Sequence, residues 1–186
     1  MRDKLGPILW QFPPNFGWNE ERFRKFFELL PRDTKAAASI ARRHDSKLKH
    51  GAFTKSDQSR QLRYSVEIRH PSFMVPEFFA LLREFNIAFV FADTAGKWPY
   101  CEDLTADFVY CRLHGAEVLY VSGYTDAALD WWASRIRDWR QGKQPKNALL
   151  ISKQLQNRDR KEVYVYFDND AKVHAPFDAR RLVERL

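Results

Sequence analysis

The chain is a succession of short apolar segments that end in polar residues and alternate with segments of helical periodicity. Five of these segments have the length and composition of buried strands. The predicted strands are residues 8–12, 64–70, 87–92, 108–115 and 163–167. Strands that alternate with helices are typical of a parallel sheet joined by helical crossovers, and this pattern limits the fold to the α/β class.

The segments between the predicted strands carry helix signals. Asn19 is placed to cap a helix that contains Phe23 and Phe27. Asp126 begins the longest helical pattern, and Pro176 opens the last one. Two further helices are predicted, around residues 36–43 and 78–85.

Alternation within the predicted strands separates an apolar face from a polar-aromatic face. Val66 and Ile68 share one face of the second strand, whereas Glu67 and Arg69 share the other. A doubly wound sheet is covered by helices on both faces and is apolar on both. In a TIM-type (β/α) barrel the helices lie outside only, so the inner face can become polar at the catalytic end. The sequence therefore favours one barrel domain over residues 1–186.

The strand count does not complete that barrel. A (β/α)₈ barrel has eight strands and about 250 residues, whereas this chain of 186 residues shows five predicted strands. We therefore expect an incomplete barrel of about five strand-helix units.

Composition narrows the cellular setting and the function class. The formal net charge of +7 favours anionic partners such as phosphorylated metabolites or nucleic acid, although it is also compatible with a solubilising surface. Cys101 and Cys111 form no CxxC pair and no secretory signal is seen, so we expect a cytoplasmic protein. No apolar stretch approaches the roughly 20 residues of a membrane span. The sequence has no P-loop, dinucleotide-binding glycine pattern or nucleophile elbow.

Several runs resemble one family in order and over nearly the whole chain. These runs are residues 5–14 (LGPILWQFPP), 66–73 (VEIRHPSF), 105–110 (TADFVY), 112–115 (RLHG), 164–170 (YVYFDND) and 175–176 (AP). They resemble the YecE-like family, also called domain of unknown function 72. The resemblance implies a TIM-type barrel of bacterial cytoplasmic type, of which this chain carries strands four to eight. It implies no substrate, because members of that family are mostly uncharacterised.

The residues that end the strands are the candidate site, because barrel enzymes work at the carboxyl ends of their strands. Glu67 and Arg69 lie two apart, as do Arg112 and His114, so each pair points in one direction. Each pair fits either a structural ion pair or a proton-transfer group beside an anion clamp. The predicted catalytic residues are Glu67, His114 and Asp168. The predicted ligand-binding residues are Gln11, Arg69, His70, Asp93, Arg112, Asn169 and Asp170.

Other features of this end carry weaker predictions. Asp168 and Asp170, with Glu67, His70 and Asp93, form an oxygen-rich set that suits Mg²⁺ or Mn²⁺, although no metal-spacing motif is present and no cofactor is required. Asp168 to Asp170 also fit an ordinary turn. Gly115 is expected to let the backbone approach a ligand. The aromatic residues near this end fit stacking on a sugar or base, or a place in the core: Trp10, Trp98, Tyr100, Tyr120 and Tyr124.

Three functional hypotheses remain open from sequence. The first is an enzyme that acts on a small anionic, phosphorylated or sugar-containing ligand by acid-base chemistry. The second is a nucleic-acid-binding or nuclease-like protein that uses the basic segments 42–55 and 143–161. The third is an inactive fragment that self-associates, because its first and fifth strands would be open edges.

Overall fold

The structure is a computed structural model that describes residues 4–152 and 159–186. Its strands are β1 (Ile8–Gln11), β2 (Tyr64–Glu67), β3 (Ala88–Asp93), β4 (Phe108–Leu113) and β5 (Glu162–Phe167). Its α-helices are α1 (Glu20–Leu29), α2 (Thr34–Ala41), α3 (Pro76–Glu84), α4 (Asp126–Arg140) and α5 (Ala175–Val183). The predicted alternation of strands and helices is confirmed.

The strands form one parallel sheet in the order β1-β2-β3-β4-β5. Every neighbouring pair is parallel, and Trp10 pairs with Val66 while Tyr110 pairs with Val90. Sequential order means that each crossover moves the chain one strand further in the same direction. This α/β arrangement is consistent with an incomplete TIM-like fold.

The helices and one face of the sheet share a single large core. Val66, Phe91 and Cys111 from the strands pack in the same buried cluster as Phe27 of α1 and Trp139 of α4. A separate small cluster lies on the opposite face, which we call the inner face. It is built from alternate strand residues: Ala88, Val90, Ala92, Phe108 and Tyr110 with Leu9 and Tyr164 packed against it. The division of the strands into two faces follows the predicted alternation, but β3 contributes only the apolar residues Ala88, Val90 and Ala92 to the second face.

Local signals set the helix boundaries. The side chain of Asn19 accepts a hydrogen bond from the backbone of Arg22, as predicted for the cap of α1. Asp33 caps α2, which therefore begins before the predicted residue 36. Thr125 caps α4 directly before Asp126.

Some boundaries differ from the prediction. β2 ends at Glu67 rather than at residue 70. Pro71, which has no N–H for a ladder, opens a short 3₁₀ turn at Pro71–Phe73. β3 begins one residue later than predicted and includes Asp93. The second basic segment lies only partly within the described residues, since residues 153–158 fall outside them. None of the helices in the described ranges has both the length and the apolar character to cross a membrane.

Candidate functional site

Five charged or titratable side chains meet where the parallel strands end. Glu67 is the last residue of β2 and Arg69 follows it by two, while Arg112 lies near the end of β4. His114 and Asp168 directly follow β4 and β5. Since the carboxyl ends of parallel strands share one edge of the sheet, the chain brings together residues about a hundred positions apart. We call Glu67, Arg69, Arg112, His114 and Asp168 the rim cluster.

Glu67 is the buried anion at the centre of the cluster. Its side chain is 1% exposed. It accepts a hydrogen bond from Arg69 Nε at 3.1 Å and one from Arg112 Nη1 at 2.6 Å. Two guanidinium groups therefore compensate the loss of water around one carboxylate.

Arg112 connects its own strand, β4, to the ends of three other strands. Besides Glu67, it donates to Asp168 Oδ2 at 2.6 Å and to Gln11 Oε1 at 3.2 Å. Burial disfavours the charge of Arg112, but the carboxylates of Glu67 and Asp168 outweigh burial and raise its pKa. Arg112 is thus a fixed cation.

Arg69 is held by hydrogen bonds and by an aromatic face. Its Nη2 donates to Gln11 Oε1 at 2.8 Å and to the Tyr120 hydroxyl at 3.3 Å. The guanidinium carbon lies 3.6 Å from the ring centroid of Trp98, which is a close cation–π contact. Gln11 therefore bridges both arginines, as its predicted place at the site requires.

His114 is the least satisfied member of the cluster. It is 0% exposed, with Nδ1 3.0 Å from Asp168 Oδ2 and Nε2 3.9 Å from Glu67 Oε2. The short Nδ1 distance lacks hydrogen-bond geometry, and among the described residues neither ring nitrogen has a hydrogen-bond partner. Burial and the charge of Arg112 lower the pKa of His114, although both carboxylates oppose this shift. The imidazole is therefore neutral near pH 7 and able to accept a proton.

The rim cluster has a partial aromatic cover. The ring of Tyr120 meets His114 edge-on at 5.2 Å, and that of Trp98 meets it edge-on at 6.4 Å. Tyr120 has a φ of 64°, a left-handed conformation that a tyrosine rarely adopts. Of the aromatic residues expected near this end, Trp98 and Tyr120 reach the cluster. Trp10 contacts Phe26 of α1 instead.

Two predicted ligand-binding residues lie outside the cluster. Asp93 follows Phe91 by two positions and therefore points toward the helices, where the Tyr124 hydroxyl donates to it at 3.0 Å. Burial raises the pKa of Asp93, although hydrogen bonds from its surroundings oppose the shift. His70 caps the 3₁₀ turn, where Nδ1 accepts from the backbone of Ser72 at 3.1 Å. Both contacts are structural.

Asn169 and Asp170 are also separate from the cluster. Asn169 is fully buried, and its amide donates to the Ser122 carbonyl at 3.0 Å and to Asp178 Oδ2 at 2.9 Å. Asp170 is exposed at the start of a 3₁₀ turn. Asn169 and Asp170 therefore fit the ordinary turn that was predicted for this segment, whereas Asp168 belongs to the rim cluster.

Gly115 serves the chain itself rather than an open approach to a ligand. Its φ is 120°, and a Cβ there would lie 2.6 Å from the Val118 carbonyl oxygen. A glycine is required at this turn because any side chain would collide with the backbone.

The oxygen-rich set does not converge on a metal site. Within residues 4–152 and 159–186, no group of three or more His, Cys, Asp or Glu side chains is arranged to hold a metal ion. Asp93 and His70 point elsewhere, and the carboxylates of Glu67 and Asp168 are engaged by Arg112. The expectation of Mg²⁺ or Mn²⁺ therefore gains no support from this geometry.

The contribution of Trp98 to the site had no local signal in the sequence. Trp98 belongs to the irregular segment that joins β3 directly to β4. Its contact with Arg69 joins residues that are 29 positions apart. The proximity of Trp98 to the strand ends was expected, but its partner was set by the path of this segment.

Fold and site together define an α/β protein with a charged cluster at the carboxyl edge of a parallel sheet. A family model described as "Protein of unknown function DUF72" matches residues 1–186, and the chain belongs to this family. The predicted family is therefore confirmed. A comparison with curated proteins finds no match.

Solved structures of the same family share the fold. A DUF72 family protein from Thermotoga maritima has a TM-score of 0.66 and 22% identity, with 98% of this chain and 58% of that chain covered. Two structures of a DUF72 family protein from Enterococcus faecalis have TM-scores of 0.61 and 0.59, at 18% and 17% identity. They cover 98% and 97% of this chain and 59% and 61% of theirs. The chain thus spans about three fifths of the length of these solved relatives.

Proposed function

We propose that the rim cluster is a binding and acid-base site for a small anionic ligand that carries a phosphate or carboxylate group. The observation that supports this proposal most is His114, a neutral buried imidazole between two carboxylates and beside Arg112, whose ring nitrogens have no hydrogen-bond partner in the described part of the chain. A buried polar group without a partner costs about 1–3 kcal/mol, so a purely structural cluster gains nothing from it.

The arginines would provide the anion clamp. Glu67 and Asp168 balance Arg69 and Arg112 in formal charge, so an incoming anion must replace an existing partner. Gln11 and Asp168 are the replaceable partners, because Gln11 is exposed and the Asp168 side chain is 36% exposed. Glu67 stays in place, since it is buried under both guanidinium groups.

Proton transfer would fall mainly to His114. Its lowered pKa makes the imidazole a proton acceptor near neutral pH. Asp168 lies 3.0 Å from Nδ1 and is placed to orient the ring. Glu67 is placed to hold the two guanidinium groups, because both of its carboxylate oxygens accept hydrogen bonds from arginines.

We propose further that the sheet is part of a TIM-type barrel. Sequential parallel strands with helices packed on one face support this architecture, as does a cluster on the inner face at the carboxyl ends. A crystal structure with helices on both faces of a flat sheet would contradict it.

The ligand proposal is tested by titrating the protein with inorganic phosphate and a hexose phosphate, with the neutral hexose as a comparison. We expect Arg112→Gln to weaken phosphate binding at least tenfold by calorimetry. Bound phosphate should also raise the pKa of His114, measured by NMR, because the anion offsets the charge of Arg112.

Arg63→Gln is the matched control. Arg63 lies before β2 and also donates to a carboxylate and a tyrosine hydroxyl, Glu162 and Tyr164, but at the opposite end of the sheet. Phosphate binding that is equally sensitive to both arginines would reflect general positive charge. That result, or an absence of binding, would refute the proposal.

The basic segment 42–55 supports the nucleic-acid alternative through its exposure. Five basic residues lie in it and all are exposed: Arg42, Arg43, Lys47, Lys49 and Lys55. Binding of an oligonucleotide that weakens steeply with salt and is lost when these residues are neutralised would favour that function.

A further inference from the structure

A small aromatic cavity adjoins the rim cluster on the side of the sheet that the helices cover. Its volume is about 290 Å³, and its walls come from the carboxyl end of β3, the segment after β3 and α4. A cavity of this size is at the lower end of small-molecule pockets and accommodates a single ring. Within the described ranges, its aromatic lining residues and its one carboxylate are Trp98, Tyr100, Trp131, Trp132 and Asp93.

A tight turn after β3 places Trp98 in the wall of this cavity. Ala95 and Gly96 have φ values of 51° and 75°, and the backbone of Lys97 donates to the Thr94 carbonyl at 3.0 Å, so the chain reverses within four residues. The buried side chain of Thr94 also accepts a hydrogen bond from the Trp98 backbone at 3.1 Å. The position of Trp98 is therefore fixed by its own segment.

α4 supplies two neighbouring tryptophans to the opposite wall. Trp132 is 3% exposed and belongs to the core, whereas Trp131 remains 40% exposed. Their rings meet edge-on at 4.9 Å and 85°, and Tyr100 meets Trp132 at 88°. These rings form a corner rather than two parallel walls. Exposed aromatic surface beside a cavity is typical of a binding site.

The charges around the cavity disfavour a charged ligand of either sign. The guanidinium carbon of Arg69 lies 3.6 Å from the ring centroid of Trp98. That of Arg135 lies 3.8 Å from the ring centroid of Trp131, so both rings are already paired with cations of the chain. An added cation would be repelled by these guanidinium groups, and an added anion by the carboxylate of Asp93. A neutral ligand meets neither penalty.

We propose that this cavity binds the pyranose ring of a neutral sugar, with Trp131 stacked against it. A pyranose has an apolar face of C–H groups that fits a tryptophan ring, and hydroxyl groups around its edge that can donate to Asp93. Asp93 accepts a hydrogen bond from Tyr124, and a carboxylate has room for about four. The puckered ring also fits an aromatic corner, whereas a planar base stacks best on parallel rings. This site is separate from the rim cluster and does not require anion binding there.

Fluorine NMR of the protein labelled with fluorotryptophan is the first test. The probes are the methyl pyranosides of glucose, galactose and mannose, titrated to about 50 mM because single rings bind with millimolar affinity. We expect at least one of them to shift the resonances of Trp131 and Trp98 and to leave that of Trp10 in place. Trp10 is the internal comparison, because it is 38% exposed and does not line the cavity. An absence of shifts with all three sugars would overturn the proposal.

Trp131→Leu tests the stacking contact. It should weaken sugar binding about tenfold, because leucine has no flat face. Trp10→Leu is the matched control and should bind the sugar as the unmodified protein does. Equal affinities of the two variants would refute the role of Trp131.

Two further probes test the chemical class of the ligand. Tetramethylammonium and adenine should shift the Trp131 resonance less than the sugars at equal concentration, and tighter binding of either would overturn the proposal. Inorganic phosphate should bind Trp131→Leu and the unmodified protein alike. The sugar site and the anion site can therefore fail separately.

Discussion

Two of the buried charge clusters in the described residues lie at opposite ends of the sheet, and they are built differently. At the amino ends, Asp103 is 1% exposed and accepts hydrogen bonds from Arg83, from the Ile151 and Ser152 backbones and from the Ser152 hydroxyl. Every bond serves to fasten one segment to another. At the carboxyl ends, the rim cluster includes His114, whose ring makes no hydrogen bond with any described residue, and Asp168, which is partly open to solvent.

The difference separates a structural cluster from a candidate site. Buried charges that only stabilise a fold are expected to be fully paired, because an unpaired polar group is costly. Functional residues are the usual exception, since selection for activity tolerates a local loss of stability. The two clusters should therefore respond in opposite ways to substitution.

The largest effect is expected for Asp103→Ala. The substitution removes from Arg83 its buried ionic partner and from the partly buried Ile151 and Ser152 N–H groups their shared acceptor, so the free energy of unfolding should fall by about 3–5 kcal/mol in urea titrations. Asp57→Ala is the control, because Asp57 pairs with Arg60 on the surface and should cost less than about 1 kcal/mol. If both variants lose the same free energy of unfolding, burial of Asp103 does not increase its contribution to stability.

A smaller effect is expected for Trp98→Leu. Loss of the cation–π contact with Arg69 should cost about 1 kcal/mol and reduce phosphate affinity several-fold, because Arg69 loses its support. Trp131→Leu removes a similar contact, with Arg135 at 3.8 Å, that involves no member of the rim cluster. If calorimetry shows that both variants bind phosphate alike, Trp98 has no role in the site.

His114→Leu should not lower stability, because it removes an unsatisfied buried group. Asn169→Leu is the comparison, since Asn169 is equally buried but donates two hydrogen bonds. It should lose about 1–3 kcal/mol. A large loss for His114→Leu in urea unfolding would place His114 in the structural class.

The smallest effect concerns pH. Because the pKa of His114 is lowered in the folded protein, the unfolded chain binds this proton more readily. Its contribution to stability is complete above the unfolded pKa of about 6.5 and is lost as pH falls toward the folded pKa. Urea unfolding at pH 8, 6 and 5 should show this loss in the unmodified protein and not in His114→Leu. Parallel curves for the two proteins would contradict the lowered pKa.

Much of the fold was predictable because it depends on local pattern. The period-two alternation in β4 put Val109 and Cys111 on the core face and Arg112 on the other, and the structure has this arrangement. Asn19 and Pro176 marked helix starts by their own chemistry. Boundaries such as the end of β2 were less predictable, because they depend on where pairing with the neighbouring strands stops.

Only part of the candidate site was predictable from the sequence. Glu67, Arg69, Arg112, His114, Asp168 and Gln11 come together because parallel strands bring their carboxyl ends to one edge. Asp93 also lies at the end of a strand, but it falls on the face of the sheet that the helices cover. His70 turns away to cap a 3₁₀ segment. Position in the sequence therefore identified the edge but not the direction of every side chain.

The sequence alone determined how apolar and charged residues are placed on each strand. Apolar residues face the helices, and charged residues lie at the ends of the strands. This followed from the fixed two-residue period of a strand. Only the tertiary structure decided which charges are satisfied, because hydrogen bonds join residues far apart in the chain. Within the described ranges it supplied Asp103 with a complete set of donors and left the His114 ring without a hydrogen bond, and that contrast locates the candidate site.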